Sequence, residues 1–591
     1  MDEVLGVFVI TRIARRRSAV GRGVIVTVVI IVILVAAVGA YYASTVTAPS
    51  SSTTTTSSST TSSTTSTVSI NTNITKSSQL LSLTFANVPN SDPAKGSDEA
   101  SCAALVNLYD TLVFPTATGG LQSDLATSWT ISPDGLTYTF NLRQGVTFHN
   151  GDSLNATDVV FSMNRLITIG QGFSYLFSPY IVSTNATGAY TVVFHLKKTF
   201  GPFLSALVRL YILDPKQVMA NIVSGPYGSL GDYGSTWLLT HDAGSGPYYM
   251  VSANLEANMI FEEYTNYWNG TQPNQPKMVQ YIGISDPNTV KALFTSGAIQ
   301  ITDMWQPYSN IVALSQLKGA KMTVIPSTQE MYLMINTQKA PTDDIYVREA
   351  MSYALNYTAV VDEIFPGSQL TAGPVPVALP GHDPNIPTAT QNLTLAKQLI
   401  QQSKYYKAGT LASYPVTYFW VTAVPAEQKL ALEFASDMAQ IGITVNLVAT
   451  PWLTVVADLA NKSSSPNIVS IEDAASYYEA GSLLQSRYTT PAEGTWEQNE
   501  WLHNSTLDSI ILNAVGTLNQ TQRFQGYDTA QEQIYNMYPT IYAFDVTEVR
   551  AYYPSVVNWY PANGQPVPLL GYDFYWRDVS FYPTALTSLF G

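Results

Sequence analysis

Cysteine is nearly absent from this 591-residue chain: Cys102 stands alone, so no disulfide can form within it. Charge is scarce too. Asp, Glu, Lys and Arg make up 12% of the residues and sum to −14. An acidic chain repels phosphate backbones, which argues against nucleic acid as a partner. The five histidines, His149, His195, His241, His382 and His503, are scattered, with no pair at metal-ligand spacing and no His-Glu-x-x-His. Neither a Gly-x-Ser-x-Gly elbow nor a phosphate-binding Gly-x-x-x-x-Gly-Lys occurs. Adjacent acids such as Glu262-Glu263, Asp343-Asp344 and Glu472-Asp473 are what solvated loops ordinarily carry, and spacing alone does not make them a glycosidase. The expectation is a protein without catalytic residues, metal or cofactor.

Hydrophobic residues, by contrast, reach 46%, enough for large cores in a chain whose length suggests several domains. The first 78 residues read differently from the rest. Residues 1–23 carry Arg12, Arg15, Arg16, Arg17 and Arg22, and Val24–Ala40 follows without a single charge. That run is just long enough to span a bilayer, and the basic flank predicts a cytoplasmic N-terminus with everything beyond outside. Residues 24–42 are thus an expected transmembrane anchor, or a signal cut at the weak small-residue site Val38-Gly39-Ala40. Residues 43–78 are dominated by Ser and Thr and read as an extended stalk. Nine sequons, at Asn73, Asn155, Asn185, Asn269, Asn356, Asn392, Asn461, Asn504 and Asn519, exceed chance modestly and favour an exterior, glycosylated location. Low charge with abundant Ser, Thr, Asn and Tyr would also suit an acidic exterior.

The most informative stretch is Leu125–Leu166. Trp129 and Ile131 alternate with polar neighbours, Pro133-Asp134-Gly135 turns the chain, and Leu136, Tyr138, Phe140 and Leu142 share one strand face. Asn155 stands at a helix N-cap position, with Asp158 at capping-box spacing and Val159, Val160, Met163 and Leu166 at helical spacing. In order, Leu125, Ala126, Trp129, Asp134, Gly135, Tyr138, Phe140, Leu142, Arg143, Gly145, Phe148, Gly151, Ala156, Asp158 and Val159 resemble the signature of the dipeptide/oligopeptide-binding family, family 5, of extracellular solute-binding proteins of ABC importers. A second stretch, Tyr332–Gly367, keeps Asn336, Asp344, Val347, Arg348, Ala350, Tyr353 and Ala354 of that family's strand–break–helix pattern. Gly244-Ser245-Gly246-Pro247-Tyr248 and Gly373-Pro374-Val375-Pro376 match two of its turns.

The resemblance implies an α/β, periplasmic-binding-protein-like (type II) fold of two lobes with an extra inserted domain. Lobe I is expected at 79–113, 240–332 and 545–591, a small strand-rich insertion at 114–239, and lobe II at 333–544. It implies capture without chemistry: a monomer closing over a peptide and presenting it to a membrane permease. Arg22-Gly23 ahead of the apolar run is similar to the prepilin-type signals of some archaeal binding proteins, which retain the apolar segment as an anchor. Aligned positions give the pocket candidates Ser97, Asp98, Glu99, Asp303, Met304, Trp305, Tyr332 and Met334. One departure matters. Where peptide binders hold the ligand's amine with an Asp, this chain has Ser476 beside Tyr477, leaving Asp473 or Glu479 as substitutes; an unpartnered buried ammonium is strongly disfavoured. Oligosaccharide is therefore the alternative ligand, with 37 Tyr and 10 Trp available for stacking. Remoter alternatives are a tethered hydrolase and a structural surface-layer protein.

Overall fold

In the computed structural model, residues 79–590 are described, apart from Ser285, Pro566 and Pro568. The basic segment, the expected anchor, the stalk and Asn73 lie outside them. Among the described residues no helix is long and apolar enough to cross a membrane.

The chain begins with β1 (Leu80–Phe85) and α1 (Glu99–Leu108), the latter N-capped by Asp98. Next come β2 (Ala126–Ile131), β3 (Thr137–Leu142), α2 (Ala156–Ile169), β4 (Ile181–Gly188) and β5 (Thr191–Leu196). These strands form an antiparallel sheet in the order β2-β3-β5-β4. The hairpin and helix lie where the sequence predicts, down to the Asn155–Asp158 capping box. Then β6 (Tyr248–Asn254), β7 (Asn258–Glu263) and β8 (Met278–Gly283) return the chain to β1, in the order β1-β8-β7-β6. The return turn packs against the end of α1. A Cβ on Gly244 would meet the Leu108 carbonyl oxygen at 1.8 Å, and one on Gly246 the Asn107 carbonyl oxygen at 2.4 Å, which is why glycine recurs there.

A long strand, β9 (Lys321–Ile335), leads into α3 (Ile345–Ala354), β10 (Val416–Val421), α4 (Pro425–Gln440), β11 (Val445–Thr450) and β12 (Ile468–Ala474). Helices α5 (Gly481–Tyr488), α6 (Ser505–Gly516) and α7 (Gln520–Met537) precede β13 (Thr540–Tyr552). The second sheet runs β11-β10-β12-β9-β13. Its last strand is much longer than the Ile541–Phe544 that hydrophobic alternation alone picks out. The polar residues Asp545, Glu548 and Arg550 interrupt the pattern because they are buried against partners instead of facing water.

β9 and β13 pair twice, from Lys321↔Tyr552 to Pro326↔Thr547 and again from Glu330↔Asp545 to Met334↔Thr540. The register breaks between Pro326 and Glu330. Isolated bridges tie Ile301 to Leu83 on one side and to Tyr552 on the other, so the short segment 300–302 joins the first sheet to the β9–β13 ribbon. One apolar core underlies the first sheet, the inserted sheet and one face of the second; another, with Leu333, Met351, Leu430 and Phe434, fills the opposite face.

Five of the eight described sequon asparagines, Asn155, Asn356, Asn392, Asn504 and Asn519, are helix N-caps whose side-chain oxygens accept backbone N–H groups. Capping selects Asn for a reason unrelated to sugar attachment.

Candidate functional site

The predicted site residues fall into two groups, one beside α1 and one on β9 and β12. In the first, Asp98 is spent on capping: its carboxylate accepts from the Ser101 N–H at 3.1 Å and the Ser101 hydroxyl at 2.6 Å, while neighbouring Ser97 is half-buried. Glu99 turns inward, ion-paired with Arg550 and accepting from the Trp305 indole at 3.2 Å. Burial pushes its carboxyl up to about 7, the Arg550 charge opposing and the Glu548 charge reinforcing the rise. Asp303 is fully buried and holds its own loop, accepting from the Thr84 hydroxyl at 2.9 Å and the Gln306 amide at 3.0 Å. Half-buried Met304 rests against the core of the second sheet.

In the second group, Tyr332 and Met334 project from the same face of β9. Arg487, from α5, lies 3.9 Å from the centre of the Tyr332 ring and reaches Glu330 at 2.6 Å and Asp473 at 3.1 Å. Arg487 and Glu330 are wholly buried, so this is a desolvated ion-pair set and not a surface bridge. The Ser476 hydroxyl shares a hydrogen with Tyr175 at 2.6 Å, and its carbonyl accepts from Arg209 at 3.0 Å. Tyr477 is buried edge-on to Phe200, 5.9 Å between ring centres. Tyr175, Phe200 and Arg209 all come from the inserted segment, which therefore closes over the loop after β12.

Both candidate substitutes for the missing amine-binding Asp are already engaged. Glu479 makes a two-pronged pair with Arg523, at 2.6 and 2.8 Å, and accepts from the Tyr527 hydroxyl. Asp473 is held by Arg487. In the same stretch Glu472 has a buried Oε1 that is hydrogen-bonded to nothing among the described residues. Burial raises its carboxyl well above the ordinary value, and Glu99, Glu548 and Glu427 raise it further. Thus Glu472, from the second sheet, stands within electrostatic reach of Glu99 beside the first sheet and of Glu548 on the β13 ribbon.

Sequence reading missed Arg487, Arg550, Glu330, Glu548 and Tyr175. Each acts through a partner hundreds of positions away or on another element, so no local spacing marks them. The available signal was scarcity: in a chain with 28 Lys and Arg, arginines inside apolar strands and helices must be buried with partners. A cavity of about 160 Å³ lies elsewhere, lined by Tyr353, Tyr535, Tyr538 and Tyr542 near the outer edge of β13, and contains no predicted site residue.

Residues 120–494 match the model of the bacterial extracellular solute-binding proteins, family 5 (middle). The chain is 26% identical over 435 residues to the probable D,D-dipeptide-binding periplasmic protein of Escherichia coli (strain K12), covering 72% of this chain and 79% of that relative. It is 25% identical over 473 residues to the heme-binding protein A of Haemophilus influenzae, covering 74% and 82%. Among solved structures, the ABC transporter-associated periplasmic binding protein DppA of Helicobacter pylori, in complex with the peptide STSA, superposes with a TM-score of 0.73 at 24% identity, over 85% of this chain and 98% of that one. That architecture is the periplasmic-binding-protein-like α/β fold. The chain belongs to the family-5 extracellular solute-binding proteins, a family that binds solutes and does not transform them.

Proposed function

We propose that this protein is the solute-capturing subunit of an ABC importer for peptides, acting outside the cell and handing its cargo to a membrane permease. The observation that carries the reading is the β9–β13 ribbon, two strands remote in sequence that pair on both sides of a register break at Ser327–Gln329. Such a break between two sheets is where a pair of lobes can rotate, with lobe I at 79–113, 240–326 and 547–591 and lobe II at 330–545. These limits lie a few residues from those expected from sequence. Ligand shifts the open–closed balance only by binding the closed form more tightly.

Glu472 supports peptide over oligosaccharide. A buried carboxylate oxygen without a partner, with two more acids across the lobe boundary, disfavours a neutral sugar and favours an ammonium such as a peptide N-terminus. Names of relatives support peptide in part: one is described as probably D,D-dipeptide-binding and others as glutathione-binding, while one is described as heme-binding. The N-terminal segment would keep the protein at the membrane as a monomer at the end of its stalk. The exposed Asn185, Asn269 and Asn461, which cap no helix, are the sequons most open to a glycan.

Titration calorimetry with tripeptides and with oligosaccharides tests this reading. Peptides should bind with one-to-one stoichiometry and be recovered intact. Saturable binding of oligosaccharide alone, or hydrolysis of the peptide, would overturn it.

A further inference from the structure

We propose that a pocket formed by Tyr332, Asn499 and Glu500 receives a basic side chain of the captured solute, a lysine ammonium or an arginine guanidinium. This rests on the peptide-capture reading and narrows it to cationic cargo. All three residues are 0% exposed. The Tyr332 hydroxyl, both side-chain polar atoms of Asn499 and the Oε2 of Glu500 have no hydrogen-bond partner among the described residues. Unpartnered buried polar atoms are rare, and four on three neighbouring side chains need a common explanation.

The arrangement is built, not incidental. Tyr332 and Met334 sit on one face of β9, opposite Tyr542 and Thr540 of β13. The loop carrying Asn499 and Glu500 lies over that face, tied by the Asn499 N–H to the Met334 sulfur at 3.4 Å and by the Thr540 hydroxyl to Glu500 Oε1 at 2.8 Å. Those bonds fix the backbone and one carboxylate oxygen and leave the other free. Glu497, on the same loop, is half-buried and electrostatically close to Tyr175 and Asp473. The acids therefore lead inward from Glu497 to Glu500.

Charge counting identifies what fits. Glu330, Asp473, Glu497 and Glu500 surround a single base, Arg487, whose guanidinium is already given to Glu330 and Asp473. Glu497 and Glu500 have no cation of their own among the described residues. An ammonium needs three acceptors, and Glu500 Oε2, Asn499 Oδ1 and the Tyr332 hydroxyl oxygen supply three. A ligand carboxylate would meet Glu500 in a desolvated space, and an aliphatic side chain would leave every one of these atoms unpaired. Water alone can satisfy hydrogen bonds there, whereas a cation also lets the buried Glu500 give up its proton and pair with it.

The test is calorimetry on the full chain with alanine tripeptides carrying lysine, norleucine or glutamate at the first, second or third place. A charge-assisted hydrogen bond predicts that at one place lysine binds about tenfold or more tighter than norleucine, with glutamate weakest. Glu500→Gln, checked for folding by its melting curve, should shrink that lysine-to-norleucine ratio to about threefold or less. Equal affinity for lysine and norleucine at every place would overturn the cationic pocket while leaving peptide capture standing, the atoms then being satisfied by water. Failure of every tripeptide to bind would overturn both. Should Glu500→Gln not fold, the wild-type series decides alone.

Discussion

Glu500→Gln also makes a prediction about stability that needs no ligand. In the folded chain the Glu500 carboxyl is pushed from 4.5 up to about 8; burial is the main cause, opposed by backbone N–H groups, the Thr540 hydroxyl and the Arg487 charge. The other titratable groups facing it are Tyr332 from β9, Tyr488 from α5 and Tyr542 from β13. A carboxyl that keeps its proton in the fold but loses it in the unfolded chain costs about 1.36 kcal/mol per pH unit above its ordinary value. Raising the pH from 4.5 to 8 thus removes at most about 5 kcal/mol, and stopping at pH 7 about 3 kcal/mol. The sign follows from the raised value: the contribution is complete below pH 4.5 and is lost as the pH climbs to about 8. Glutamine keeps the shape, still accepts from Thr540, and does not titrate. The variant should equal the wild type at pH 4.5 and exceed it at pH 8 by about 1–5 kcal/mol. For roughly 500 folding residues the unfolding entropy makes 1 kcal/mol worth about 1 °C, so differential scanning calorimetry should show a rise of a few degrees at pH 8 only. A variant less stable than wild type at pH 8, or equally stabilised at both pH values, would refute the reasoning. A protein stabilised by losing a binding carboxylate is the usual signature of a site that trades stability for function.

Other substitutions probe the frame that holds the site. Asp92→Asn leaves Arg165, which is wholly buried and makes bonds of 2.6 and 2.8 Å to that carboxylate, without its counter-charge; urea unfolding should show a loss of about 3–5 kcal/mol, and a change below about 1 kcal/mol would mean the pair is not desolvated. Gly244→Ala forces a methyl group to 1.8 Å from the Leu108 carbonyl oxygen, so it should lower the melting temperature by several degrees or prevent folding; an unchanged melting curve would contradict the packing of that turn on α1. Affinity for a lysine tripeptide should rise from pH 5 to pH 8 as carboxyls such as Glu99, raised to about 7, and Glu500, raised to about 8, ionise around the cation; a flat profile would exclude them from the site.

Local pattern carried the secondary structure because the reasons are local. The Pro133-Asp134-Gly135 turn, the Asn155–Asp158 cap, the Asp344 cap of α3 and the Gly442 end of α4 each satisfy backbone groups within a few residues. Family-like spacing then pointed to Glu99, Trp305, Tyr332 and Asp473, of which Glu99 pairs with Trp305 and both Tyr332 and Asp473 meet Arg487. What sequence could not show was electrostatic bookkeeping. That Glu479 is spent on Arg523, Asp473 on Arg487 and Glu99 on Arg550, leaving Glu472 Oε1 and Glu500 Oε2 without a partner among the described residues, depends on contacts between residues 14 to 451 positions apart. The same holds for the second half of β13, whose buried polar residues hide a strand that hydrophobic alternation would have ended at Phe544.

Closure about the β9–β13 ribbon is the central claim, and energy transfer between the lobes measures it most directly. Val251 on β6 and Leu432 on α4 are exposed, while Cys102, the sole native cysteine, is buried, so Val251→Cys and Leu432→Cys in the full chain can be labelled selectively. Adding a saturating tripeptide should raise the transfer efficiency reversibly, with the peptide recovered intact. Unchanged transfer at a peptide concentration that calorimetry shows to be saturating would contradict closure.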